Sequence, residues 1–179
     1  MPFTRKSIRL ARENYIGKRV YFVTICCDQR KPVFRDADIT TCHVEVLRTS
    51  AAHADFAIHA YCFMPDHLHF LAEGLSSGSR LLDFVYRFKQ KTAFEYRRKF
   101  GVPLWQVKFY DHILRSDVAM EDVAWYIWMN PVRAGLCAVP TEFPYLGSFT
   151  EIGTKLLKSA AAPVWIPPWK AVAKKDVPR

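Results

Sequence analysis

Apolar positions along the chain switch between a period of two and a period near 3.6. Val20-Tyr-Phe-Val-Thr-Ile-Cys-Cys27 is β-branched and aromatic and runs into Asp-Gln-Arg-Lys-Pro, so a strand ending in a turn is expected. From Asp38 to Ala54 the residues Ile39, Cys42, Val46 and Leu47 recur with polar residues between them, the pattern of an amphipathic helix capped by Asp36 or Asp38. Phe56 to Met64 and Leu68 to Ala72 predict two strands parted by Pro65-Asp66, and Gly74 to Gly78 predicts a loop. Leu81, Leu82, Val85, Phe88, Thr92 and Phe94 or Tyr96 then keep helical spacing until Gly101-Val-Pro103 stops them. Leu104 to Leu114 alternates loosely as a fourth strand. Asp117 to Met129 predicts a last helix, with Ser116 or Asp117 as N-cap and Glu121 and Asp122 in its early turns.

The order is therefore β-α-β-β-α-β-α. Its first six elements follow the ferredoxin-like or RRM-like split βαβ order, which predicts an α+β fold with an antiparallel sheet and helices packed on one face. Three segments are expected: a basic N-terminal arm over 1–19, a folded domain over 20–150, and an irregular basic tail over 151–179 that holds Trp165 and Trp169.

Composition narrows the function classes. A chain of 179 residues, half of them hydrophobic, is long enough for one good core and short for two. The net charge of +9 favours a polyanionic partner, because Lys and Arg set against phosphates release condensed counterions. Arg87, Lys89, Lys91, Arg97 and Arg98 interleave the long helix and are candidates for a phosphate track, while Arg5, Lys6 and Arg9 place a separate group of charges in the arm. Each taken singly is equally well explained as a solvated surface charge. Cys26, Cys27, Cys42, Cys62 and Cys137 are odd in number and form no C-x-x-C pair, as in a reduced cytosolic protein. No apolar run approaches the ~20 residues of a membrane span. A soluble, cytoplasmic, nucleoid-associated protein with no membrane and no small-molecule substrate is expected, as a monomer or homodimer.

His67 and His69 lie two apart on a predicted strand, so both imidazoles point to one face while Leu68 faces the core. Two ring nitrogens converging on one point suit a metal, although the same spacing also fits two polar residues on an exposed sheet face. Further donors are available on the last helix, where Tyr126 and Asn130 stand four apart on one side. An amide oxygen suits Mg²⁺ or Mn²⁺. Tyr126 also fits a core aromatic among Trp125, Ile127 and Trp128, and Asn130 fits a helix end before Pro131.

Three ordered segments carry a resemblance. Tyr61-Cys-Phe-Met-Pro-Asp-His-Leu-His-Phe70, Leu104-Trp-Gln-Val-Lys-Phe-Tyr-Asp-His-Ile-Leu-Arg115 and Tyr126-Ile-Trp-Met-Asn-Pro-Val-Arg-Ala-Gly-Leu136 together resemble the REP-associated tyrosine transposases, within the single-tyrosine HUH transposase superfamily. The likeness spans roughly residues 15 to 150. It implies an RRM-like HUH endonuclease fold, a divalent metal (Mg²⁺ or Mn²⁺) held by His67 and His69 with Asn130 as third ligand, and Tyr126 as nucleophile. Tyr110 is a second tyrosine beside a histidine and an acid and ranks below Tyr126.

A phenol is a poor nucleophile at neutral pH and needs help to attack a phosphodiester. The resemblance implies a metal-dependent single-strand DNA endonuclease and strand transferase that acts on REP-like hairpins through a 5′-phosphotyrosine. The competing expectations are a catalytically silent, RRM-like module that binds hairpin or single-stranded nucleic acid, and a plasmid relaxase or replication initiator. The last is disfavoured because no second tyrosine stands one turn from Tyr126.

Overall fold

A computed structural model describes residues 12–115 and 118–159. The β-branched and aromatic run becomes β1 (Val20–Cys26) and the two apolar runs become β2 (Phe56–Met64) and β3 (His67–Gly74). Pro65 and Asp66 form the turn between β2 and β3. The turn is pinned from outside, because the Cys27 amide donates to the Asp66 carbonyl and the Phe34 amide to the Pro65 carbonyl, both at 2.9 Å. β4 (Tyr110–Ile113) and the two-residue β5 (Leu146–Gly147) complete a sheet of order β4-β1-β3-β2-β5 in which every pairing is antiparallel.

The fourth strand is shorter than expected. Its predicted first half turns inward instead, with Leu104 and Trp105 buried and Trp105 forming only a bridge to Cys27. Trp105 donates from Nε1 to Thr92 Oγ1 at 2.8 Å, which fixes the indole in the core.

Among the described residues five α-helices flank the sheet. α1 (Ala37–His53) starts where Asp36 accepts from the Ile39 amide at 2.9 Å, and α2 (Leu81–Phe100) ends at Gly101, whose φ of +72° suits a residue without Cβ. These two share one face, and their buried side chains join Tyr21, Val23, Ile25, Leu68 and Phe70. α3 (Met120–Trp128), the short α4 (Asn130–Arg133) and α5 (Glu151–Lys158) follow. The expectation of helices on one face holds for α1 and α2 only. α3 and α5 cover the opposite face, over Phe22, Cys62, Met64 and Leu71. Burial on both faces explains why β2 and β3 read as nearly continuous apolar runs rather than clean alternation.

Three boundaries differ from expectation. The described part of the basic arm is integrated: Tyr15 is buried, stacks on Tyr21 and is followed by an Ile16 bridge to Arg80. α3 begins at Met120 with Ala119 at the N-cap, while Ser116 and Asp117 lie outside the described residues. Residues 151–158, expected to be irregular, form α5, whose Leu156 and Leu157 pack under α3. Trp165 and Trp169 lie outside the described residues. Among the described residues no helix is long and apolar enough to cross a membrane.

Candidate active site

β3 alternates, so its even residues enter the α1–α2 core and its odd residues face α3. Register then decides what His67 and His69 meet: Thr24 pairs with His69 and Cys26 with His67. The two imidazoles approach with Nε2 atoms 3.0 Å apart and ring planes at 82°. Neither histidine lies on an open sheet face, His69 being only 8% exposed.

Each outer ring nitrogen is held by oxygen. His67 Nδ1 lies 2.6 Å from Asp66 Oδ1, and His69 Nδ1 lies 2.7 Å from Thr24 Oγ1. A carboxylate accepts only, so His67 carries its proton on Nδ1 and keeps a lone pair on Nε2, as a metal ligand must. With that lone pair 3.0 Å from His69 Nε2, His69 donates from Nε2 and its Nδ1 accepts from the Thr24 hydroxyl. Asp66 is anchored by Arg30, whose Nε sits 2.7 Å from Oδ2. Arg30 and Gln29 both adopt positive φ, +57° and +51°, so the backbone is bent into the left-handed region just where this guanidinium is delivered.

The second half of the site is on α3. Tyr126 is buried to 7% exposure, and its ring meets Phe22 edge-on at 5.9 Å while Phe22 stacks on His69 at 5.3 Å. Phe22 is therefore the shared wall between tyrosine and histidines. Pro131 has no N–H to return to the Ile127 carbonyl, and side chains fill the gap. Asn130 Nδ2 donates to the carbonyls of Tyr126 and Ile127 at 3.0 and 3.1 Å, and Arg133 donates to the Tyr126 carbonyl at 2.5 Å. The Arg133 guanidinium also lies 4.4 Å over the Tyr126 ring. Burial lowers the Arg133 pKa, with Tyr126 and Cys62 pulling it back.

Asn130 thus has a holding role that its sequence position did not announce. Its side-chain hydrogen bonds run back to α3, and its Oδ1 is the end left to serve as a donor atom. Among the described residues no group of three His, Cys, Asp or Glu side chains is arranged to hold a metal ion. The donors that the fold brings together here are the two imidazoles. The donor chemistry fits a divalent cation: the two Nε2 atoms converge and His67 is held in the ligating tautomer.

The proposed phosphate track is a different matter. Lys89 drops out, since the residue is only 9% exposed and its ammonium donates to the carbonyls of Gln106 and Val107 at 2.8 Å. Arg87, Lys91, Arg97 and Arg98 are exposed, Arg98 pairing with Glu95 at 2.7 Å. Arg87 and Lys91 line a cleft of about 520 Å³ between α1 and α2, on the face turned away from the histidines. Arg5, Lys6 and Arg9 lie outside the described residues. Sequence reading missed Thr24, Phe22, Arg30 and Arg133; only Arg133 carried a signal, standing two helical turns beyond Tyr126.

Comparison with known proteins adds to this geometry. Residues 17–129 match the family described as Transposase IS200 like. A Haemophilus influenzae protein provisionally named a REP-associated tyrosine transposase is 25% identical over 158 residues, covering 81% of this chain and 88% of its own. The REP-associated tyrosine transposase of Escherichia coli K12 is 24% identical over 139 residues, covering 75% and 79%. A solved REP-associated tyrosine transposase bound to a REP hairpin matches with a TM-score of 0.66 at 18% identity, over 90% of this chain and 95% of that one. At that identity the match speaks to the fold.

Proposed function

This chain belongs to the IS200-like transposase family, among its REP-associated tyrosine members, and we propose that it cuts and rejoins single-stranded DNA at REP-like hairpins through a 5′-phosphotyrosine on Tyr126. His67, His69 and Asn130 would hold a divalent cation, Mg²⁺ or Mn²⁺. Such an ion, when bound, draws charge off a scissile phosphate. The work would be done in the cytoplasm, at the nucleoid.

The chain's own residues have definable tasks. The Tyr126 phenol oxygen bonds to phosphorus as the P–O3′ bond breaks, and the proton lost from the phenol is matched by one taken up by the leaving 3′ oxygen. Rejoining reverses these changes when a 3′-hydroxyl attacks the phosphotyrosine, so no nucleotide cofactor is needed. Phe22 and the stacked Arg133 restrict where the phenol can swing. Asp66 and Thr24 keep the two imidazoles aimed. Arg87, Lys91, Arg97 and Arg98, together with Arg5, Lys6 and Arg9, are proposed to grip more distant parts of the hairpin.

The observation that supports this reading is Phe22, whose ring packs against both His69 and Tyr126 and so links strand β3 to helix α3 on one face of the sheet. The test is incubation with a labelled single-stranded hairpin and Mn²⁺ or Mg²⁺. A covalent adduct should form, vanish with chelator and vanish in Tyr126→Phe. An adduct that survives Tyr126→Phe sinks the assignment; hairpin binding unaffected by chelator, with no cleavage in either metal, would instead favour the silent binding module.

A further inference from the structure

The face that carries His67 and His69 is covered unevenly. α3 lies over β2 and β3, with Phe22 of β1 as its outermost described ring contact on the sheet. Beyond β1 the sheet ends in β4, an edge strand in which no residue is buried. Register places two of its side chains on the histidine face. Tyr110 pairs with Thr24, which pairs with His69, and His112 pairs with Phe22, which pairs with Leu71. Side chains in register across neighbouring strands share a face.

Tyr110 stands on the edge strand with its side chain open to solvent. It is 67% exposed, among the most exposed large apolar side chains of the described residues, and it stands in the same cross-strand row as Thr24 and His69. Two strand spacings separate it from His69, about 10 Å. An aromatic ring set out in water on an open sheet face forgoes burial that almost any ligand with an apolar face would restore. Lys108 and Arg115 bracket the strand in sequence and supply positive charge on either side. Among the described residues no second ring closes over the tyrosine, which is 67% exposed, and one flat partner laid on it is what fits.

Resting on the proposed cleavage of single-stranded DNA, we propose that Tyr110 is a stacking platform for one unpaired base of the strand that runs over the β4 edge to Tyr126. A ring stack reads no particular base, because every base has a π-face. It would hold the strand taut across β1 and so place the phosphate between the histidines and the tyrosine. Selection for an unpaired flank over a closed duplex follows, because a paired base has no free face to offer.

The test uses the full chain carrying Tyr126→Phe with chelator present, so that binding is read without cleavage. Fluorescence anisotropy would compare a hairpin with a single-stranded flank against the same hairpin without it, for that protein and for the added Tyr110→Ala or Tyr110→Trp. Tyr110→Ala should weaken the flanked hairpin about tenfold or more and leave the blunt one unchanged, while Tyr110→Trp should keep the affinity. An abasic nucleotide walked along the flank should weaken the parent at one position and the Tyr110→Ala protein no further at that position. Equal affinity of parent and Tyr110→Ala for the flanked hairpin, or equal losses on both oligonucleotides, overturns the platform and leaves the proposed cleavage standing. Failure of the parent to bind either oligonucleotide overturns both.

Discussion

Asp66 serves two neighbours at once, Arg30 on one oxygen and His67 on the other. The arrangement resembles the carboxylate–histidine pairs that orient metal ligands, where losing the outer partner weakens metal binding about 10- to 100-fold. Asp66→Ala should therefore lower Mn²⁺ affinity by that order in a calorimetric titration while leaving the thermal midpoint nearly unchanged, because the Asp66 carboxylate is a quarter exposed and its pair with Arg30 is half in solvent. Unchanged Mn²⁺ affinity would count against the pair as a metal centre. The histidine spacing was readable in sequence and so was its face. Neither Thr24 nor Arg30 was, since Thr24 stands 45 residues from His69 and meets it only through the register of β1 on β3.

At the scale of elements, the close fit of α5 on β2 rests on a missing side chain. A Cβ at Gly153 would overlap the His59 carbonyl oxygen and the Ser148 hydroxyl. Alanine would add about 1 kcal/mol of helix propensity there. The overlap is with backbone that cannot step aside, and such overpacking costs about 1–3 kcal/mol, so the clash wins. Gly153→Ala should lower the urea midpoint without changing the slope; a rise in midpoint would mean that α5 is not held against β2 in solution. Helix α5 escaped the sequence reading because Glu151–Lys158 is short, contains a glycine and follows two prolines, Pro140 and Pro144. Its order comes from Leu156 and Leu157 finding the underside of α3. The break between α3 and α4, by contrast, was legible in Asn130-Pro131, although the use of the Asn130 amide to cap the freed carbonyls was not.

Over the whole molecule, the α1–α2 core contains a histidine that ties stability to pH. Burial lowers the His43 pKa, offset in part by the Nδ1 hydrogen bond to the Ile39 carbonyl at 2.7 Å; Nε2 is buried without a hydrogen-bond partner among the described residues. Its ring packs against Phe34 and Trp105. With the folded value below the unfolded one near 6.5, the unfolded chain binds more protons between them, so stability rises with pH across that window. The contribution is complete above about 6.5 and is lost as pH falls toward the lowered folded value. Urea midpoints at pH 7.5 and 5.5 should fall further in the wild type than in His43→Leu; parallel falls would remove His43 as the cause. What the chain's own pattern determined was the order of elements, the antiparallel sheet and the two motifs on β3 and α3, because periodicity and turn residues act over a few neighbours. Which faces the helices cover, the burial of Lys89, the inward turn at Trp105 and the meeting of Phe22 with both His69 and Tyr126 were decided by tertiary structure. Those depend on register and on packing between segments far apart in the chain, where no local spacing records the partner.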